Sequence, residues 1–128
     1  MINLDILPEK QQKLFHILKS EEWMNDFYLV GGTALALQLN HRKSVDFDFF
    51  SSNDFNNLQI IDKIKLIGNY QVFTEDKNTL HGGLNNVMIS FISYKYPLIE
   101  QLSTVNNLKI AGIRDNSMYE NIRNCGKR

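Results

Sequence analysis

Between Tyr28 and Phe50 the chain reads YLVGGTALALQLNHRKSVDFDFF, and this stretch constrains the fold more than any other. It opens on an apolar run, Phe27 to Val30, with aromatic and β-branched members. That run stops at Gly31-Gly32, which predicts a buried strand ending in a tight turn. Thr33 to Leu39 is rich in Ala and Leu, strong helix formers, and predicts a helix starting at or just after Gly32. Asn40 to Ser44 is polar and basic and predicts a loop. Val45 to Phe50 then alternates for four residues and predicts a second strand. Strand, diglycine, helix, loop and strand thus follow one another within 23 residues.

The two ends of this unit carry complementary chemistry. Gly31 and Gly32 lack Cβ atoms, so the chain can turn sharply and an anion can approach the backbone. The helix that follows presents unpaired N–H groups and the positive end of its dipole, a combination that suits phosphate. A diglycine before a helix is by itself a weak signal, since most such pairs are only turns. Alternate residues of a strand share a face, so Asp46 and Asp48 lie on one side and Phe47 and Phe49 anchor the other. Side by side on a half-buried strand, two carboxylates repel, and a divalent cation relieves that repulsion. Hard oxygen ligands suit Mg²⁺, which takes one or two protein carboxylates together with substrate phosphates. The plainer alternative is a solvent-facing pair on an edge strand. Thirteen residues separate Gly32 from Asp46, and the combination is far more specific than either half.

The rest of the chain supplies a frame. Pro8 and Glu9 mark a helix start, and Leu14, Ile17 and Leu18 continue at helical spacing with Trp23 extending the stripe, so a helix is expected through about Glu22. Ser51 to Asp54 supply N-cap candidates for a helix carrying Leu58, Ile61, Ile64 and Ile67. Tyr70–Thr74, Thr79–Leu84 and Val87–Tyr94 are strand candidates, joined by turns at Asp76-Lys77-Asn78 and Asn85-Asn86. Gly82-Gly83 suggests a bulge or a weak strand. Pro97 to Leu102 is expected as a short helix or turn, Leu108 to Ile110 as an edge strand, and Asp115 as the cap of a last helix. Strands that follow each other through tight turns must be partly antiparallel. The expected fold class is α+β, a mixed, mostly antiparallel sheet with flanking helices.

Composition narrows the setting. The chain has 128 residues, enough for one domain that buries roughly two-thirds of its unfolded surface. Lys+Arg and Asp+Glu are both 14, so no bulk charge draws the chain to nucleic acid or anionic lipid. The one cysteine, Cys125, cannot form an internal disulfide, which fits a reducing compartment. The first ten residues lack a basic-then-apolar leader pattern, and no apolar run nears the roughly 18 residues a membrane span needs. A cytoplasmic protein with no membrane partner is expected.

The block Tyr28–Phe50 resembles the signature of the nucleotidyltransferase superfamily: a hydrophobic residue, a diglycine or Gly-Ser, a gap of similar length, then two acids flanking a hydrophobic residue. Within it, GGTALAL followed by His41-Arg42-x-Ser44-x-Asp46-x-Asp48-Phe49-Phe50 is most similar to AbiEii-type proteins, the toxin components of type IV toxin–antitoxin and abortive-infection systems. VMISFISYKYPL, Val87 to Leu98, looks like their second block. The resemblance implies the nucleotidyltransferase fold and a nucleoside triphosphate lying across Gly31-Gly32, with Thr33 as a further donor. It implies Asp46 and Asp48 as catalytic metal ligands for Mg²⁺, or Mn²⁺ in its place. Arg42 or Lys43 would steady the triphosphate or an RNA acceptor, and Ser44 would orient that nucleotide-binding loop. For His41 and Lys43 a packed or solvated role is the plainer reading. The implied reaction is attack of an acceptor hydroxyl, on tRNA or another RNA, at the α-phosphorus with loss of pyrophosphate. A cognate antitoxin is the implied partner.

Two departures from the pattern bear on activity. Active members add a third carboxylate from a neighbouring strand, and Ser90 stands where it is sought; Glu75 or Asp76 are the other acids near that strand. Members also continue into a helical C-terminal region, whereas this sequence ends at Arg128, with Glu120 near the expected Lys. The alternative function is therefore a catalytically inactive or truncated remnant that binds nucleotide or a partner protein. A homodimer is expected to cover apolar surface left by the missing helices.

Overall fold

The computed structural model describes residues 4–39, 46–105 and 107–125. A short 3-10 turn, Leu4–Ile6, leads into α1, Glu9–Leu18. Leu14, Phe15 and Leu18 are buried along its inner face. The helix ends four residues before the expected Glu22. Ser20 and Glu21 N–H groups close onto Ile17 and Leu18 carbonyls, and a second 3-10 turn, Glu22–Asp26, takes over. Trp23 still meets the core, but from this turn, with its indole N–H donating to Glu21 at 3.0 Å.

Of the Tyr28–Phe50 unit, the first strand, the helix and the second strand form where the pattern puts them, while the loop expected at Asn40–Ser44 lies outside the described residues. β1 is Tyr28–Val30, α2 is Gly31–Leu39 and β2 is Phe47–Ser51. α3, Asn57–Lys65, follows, and its cap is Asn56, whose side chain accepts from the Gln59 N–H at 3.1 Å. The expected caps Ser51 to Asp54 lie earlier, because β2 runs on to Ser51. Then come β3, Tyr70–Asp76, β4, Thr79–Leu84, and β5, Val87–Ser93. Asn85 and Asn86 both have positive φ, 52° and 67°, and join β4 to β5 as a two-residue hairpin. Asn tolerates that region better than other residues with a Cβ, and such turns match strand twist.

The diglycine of β4 is not a bulge. β4 pairs in register with β5 along its whole length, and the register shift falls on β3 between Val72 and Thr74. The glycines instead make room for rings on both faces. A Cβ on Gly82 would collide with the Tyr70 ring and the Gln71 carbonyl, and one on Gly83 would sit 3.1 Å from the Phe73 ring.

Seven strands form one sheet in the order β3-β4-β5-β2-β1-β7-β6, where β6 is Ser103–Val105 and β7 is Leu108–Ile110. β2–β5 and β1–β7 are parallel and the other pairs antiparallel. Leu108–Ile110 is thus not an edge strand: it lies between β1 and β6, and β6 forms the edge. Residues 97–102 make an irregular loop with bends rather than a helix. The last helix, α4, is Ile113–Cys125, with Asp115 as its third residue rather than its cap. The Asp115 carboxylate accepts from the Ile99 and Glu100 N–H groups at 2.7 and 2.9 Å, while Glu100 accepts from the Arg114 N–H at 2.8 Å. Loop and helix start therefore cap each other.

The two sheet faces differ. On one, Phe47, Phe49, Ile89, Phe91, Leu80 and Leu84 pack under α1, α2 and α3 in the main core. On the other, Tyr28, Val30, Phe50 and Ala111 form a smaller cluster with Ile92, Tyr94 and Tyr119. The candidate functional residues lie on this second face. Among the described residues, no helix is long and apolar enough to cross a membrane.

Candidate active site

The site begins where β1 gives way to α2. Val30 closes β1, and Gly31 turns the chain with φ 79°, a conformation that favours glycine. β1 and β2 are antiparallel with Val30 opposite Asp48, so the diglycine turn and the start of β2 are neighbours. A hydrogen bond fastens them: the Thr33 hydroxyl donates to the Asp46 carbonyl. Thr33 is fully buried. Its O–H thus ties the helix start to the carboxylate strand, where the sequence suggested a contact to phosphate.

Alternation along β2 holds as expected. Phe47 and Phe49 are in the main core, and Asp48 is on the opposite face, 5% exposed. Asp46, half-buried, stands immediately before β2 and two residues from Asp48, the spacing that repeats a strand face. Arg42 and Ser44, with His41 and Lys43, lie outside the described residues.

Across the sheet, Asp48 begins a polar row. Its partner on β5 is Ser90, and the partner of Ser90 on β4 is His81. Ser90 Oγ and His81 Nδ1 are 2.7 Å apart. The position expected to hold a third carboxylate is thus a serine bonded to an imidazole. Glu75 does not fill the gap: it pairs with Leu80 on the core face and accepts from Asn57 of α3 at 3.3 Å. Asp76 sits at the β3–β4 turn and caps the Lys77 N–H.

Sequence reasoning missed two residues here. One is His81. The other is Asn116 of α4, which is fully buried and accepts from the Gly31 N–H at 3.2 Å. Its amide nitrogen donates at 2.8 Å to both Gln38 and the Ala111 carbonyl. α4 thereby clamps the diglycine turn from behind. Asn116→Ala strands the buried Gly31 N–H, and that group alone should cost about 1–3 kcal/mol. A fall in the urea midpoint with unchanged slope would show it, whereas a midpoint equal to wild type would mean the clamp is not needed.

Beside the polar row, on the same face, lies a cavity of about 240 Å³ lined by Val30, Phe50, Ile92, Tyr94 and Tyr119 among others. Phe50 stacks on Tyr94 with centroids 4.7 Å apart and meets Tyr119 edge-on at 4.9 Å. Burial first, then Tyr94 and Asp115, pushes the adjoining Tyr28 hydroxyl up to about 12, so it stays neutral.

Among the described residues, no cluster of three or more His, Cys, Asp or Glu side chains forms a self-sufficient metal cage. Asp46, just before β2, and Asp48 within it are the oxygen donors that a different cation would use, one that completes its shell with ligand phosphates and water. That is the habit of Mg²⁺ rather than of structural zinc.

The family model described as nucleotidyl transferase AbiEii toxin, Type IV TA system, matches residues 12–102. The chain belongs to the AbiEii family. The matched segment contains the diglycine turn, both aspartates, His81 and Ser90, while Asn116 and α4 lie beyond it. An uncharacterized protein of Aquifex aeolicus (strain VF5), aq_aa25, is 36% identical over 113 residues, covering 85% of this chain and 55% of the relative. JHP933 from Helicobacter pylori has a similar fold, with TM-score 0.53 and 19% identity, over 84% of this chain and 54% of that one. A candidate nucleotidyltransferase from H. pylori gives TM-score 0.51 and 17% identity, over 81% and 53%. The AbiEii chain has the nucleotidyltransferase fold, and it spans about half the length of the relatives it matches.

Proposed function

We propose that this AbiEii-family chain binds a Mg²⁺-complexed nucleoside triphosphate between Gly31-Gly32 and Asp46/Asp48 and transfers its nucleotidyl group to an RNA hydroxyl, tRNA being the expected acceptor. The observation that supports this reading is the junction of β1, α2 and β2. Val30 faces Asp48 across the strands, and Thr33 holds Asp46 by its backbone carbonyl, so the diglycine turn and the two aspartates are neighbours. The N-terminus of α2 offers a positive dipole end to the triphosphate. Asp46 and Asp48 would hold the cation, whose charge would offset that of the phosphates. Catalysis then consists mainly of positioning, since phosphoryl transfer needs little covalent help from protein. A cognate antitoxin would be the natural partner of such a toxin in the cytoplasm.

Thermal unfolding with Mg²⁺ and each of the four nucleoside triphosphates tests the binding step. At about 100 times Kd one of them should stabilise the fold by about 2.7 kcal/mol. No shift with any nucleotide would exclude both transferase and nucleotide-binding remnant. Incubation with labelled triphosphate and total RNA separates these two: label on RNA supports transfer, and stabilisation without label supports the remnant.

A further inference from the structure

Resting on the transfer reading above, we propose that Ser90 and His81 form the proton-accepting arm of the site, the acceptor hydroxyl losing its proton to Ser90 Oγ as Ser90 passes its own to His81 Nδ1. Three observations carry this. Asp48, Ser90 and His81 are register partners on adjacent strands, β2, β5 and β4, and so share one sheet face. Strands lie about 4.8 Å apart, so Ser90 is one step from the candidate cation ligand and His81 two. Ser90 Oγ and His81 Nδ1 are within 2.7 Å, a short hydrogen bond in a part-buried setting.

A serine hydroxyl alone is no base near neutral pH, whereas a neutral imidazole is. Coupling the two gives Ser90 what it lacks. The hydroxyl can accept a proton on the side facing Asp48 because it can release one on the side facing His81. In the transfer, the acceptor O–H bond breaks as its oxygen bonds to the α-phosphorus. The bond from that phosphorus to the pyrophosphate oxygen breaks, and pyrophosphate leaves with the electron pair. The proton ends on His81 and passes to solvent. Ser90 is only 8% exposed, which keeps competing water away from the relay.

Few groups face His81. Ser90 lies beside it on β5 and Thr74 on β3, and Asp48 lies beyond Ser90 with Asp46 near it. Glu75 belongs to the opposite face. No other described charged side chain is a strand partner of this row.

Nitrogen NMR of the full chain labelled at histidine reads the arm directly, without turnover. With Ser90 donating, Nδ1 of neutral His81 carries no proton and Nε2 carries one; His81→Gln identifies the signal. A protonated Nδ1 would mean that His81 donates to Ser90, and the proposal would fall. In transfer assays His81→Gln should lower kcat about 100-fold or more with little change in KM. Adding Ser90→Asp to that variant should restore part of the rate by placing a carboxylate where the relay begins. A wild-type rate in His81→Gln would overturn the proposal. Nucleotide-induced stabilisation should survive His81→Gln. Its absence from the wild-type chain would sink the binding reading instead, and wild-type binding without transfer would remove the relay's role.

Discussion

Phe91→Ala should lower stability by about 3–5 kcal/mol, the usual cost of deleting a fully buried ring without collapse around it. Phe91 is 0% exposed at the centre of β5. Its ring packs on Phe27 at 5.0 Å, on Phe49 at 5.6 Å and on Trp23 at 5.9 Å. These partners come from β2 and from the turn before β1, so the cavity left by alanine would open under the strands that carry the site. Domains are stable by about 5–15 kcal/mol, so the loss would leave the variant near the margin. The melting temperature should fall by roughly 10–20 °C. Met88→Ala, three residues earlier on the outer face of β5 and 47% exposed, is the control and should change stability by less than about 1 kcal/mol. Equal midpoints for the two variants in urea would show that the aromatic cluster does not hold the sheet together.

The contrast between those two residues also shows what a sequence makes legible. Phe47, Phe49 and Asp48 were assigned to opposite faces from alternation alone, a strictly local rule that the sheet obeys. The Asn85-Asn86 hairpin was legible for the same reason, since turn chemistry needs only the residues of the turn. The fold class followed from the tight turns that join the strands between Tyr70 and Tyr94, and the nearness of Asp48 to the diglycine turn from one contiguous block of chain. What failed was non-local. Leu108–Ile110 pairs in parallel with Tyr28-Leu29, some eighty residues earlier, and nothing in a three-residue strand announces such a partner. The edge strand Ser103–Val105 has little apolar surface and gave no period to read.

His81 illustrates a partial signal. Leu80 and Leu84 mark the core side of β4, so parity puts His81 on the outer face. Parity alone cannot say that β5 lies parallel to β2 in the register that sets Ser90 beside Asp48. Gly82-Gly83 compounded the difficulty, because glycines read as weakness in a strand when here they make room for Tyr70 and Phe73. Asn116 carried no signal at all. Its role depends on the first turn of α4 returning to the start of α2, and an Asn within a helix is ordinarily a solvated or weakly unfavourable residue. Asp115 reads locally as a cap, yet its partners are the backbone N–H groups of Ile99 and Glu100, in a loop 16 and 15 residues upstream.

Asp48→Asn should abolish the stabilisation by Mg²⁺ and nucleoside triphosphate, about 2.7 kcal/mol at 100 times Kd, and lower transfer at least about 100-fold. The substitution keeps shape and nearly keeps volume, so the β2 register and the Phe47 and Phe49 packing should survive, and melting of the free chain should remain a single cooperative step. It removes one formal charge at the residue paired with Val30, beside the diglycine turn. An amide oxygen is a poorer ligand for a hard cation than a carboxylate, and the triphosphate loses the ion that joins it to the strand. Asp46→Asn should weaken the same stabilisation, while leaving the Thr33 bond intact because that bond uses the Asp46 backbone carbonyl. Asn116→Ala makes the opposite comparison: it loosens the turn from behind, so it should lower the stability of the free chain while the carboxylates keep their charge. If Asp48→Asn still gained full stability from the cation and nucleotide together, the carboxylate strand would not be where the cation binds. The site would then have to be sought elsewhere on the fold.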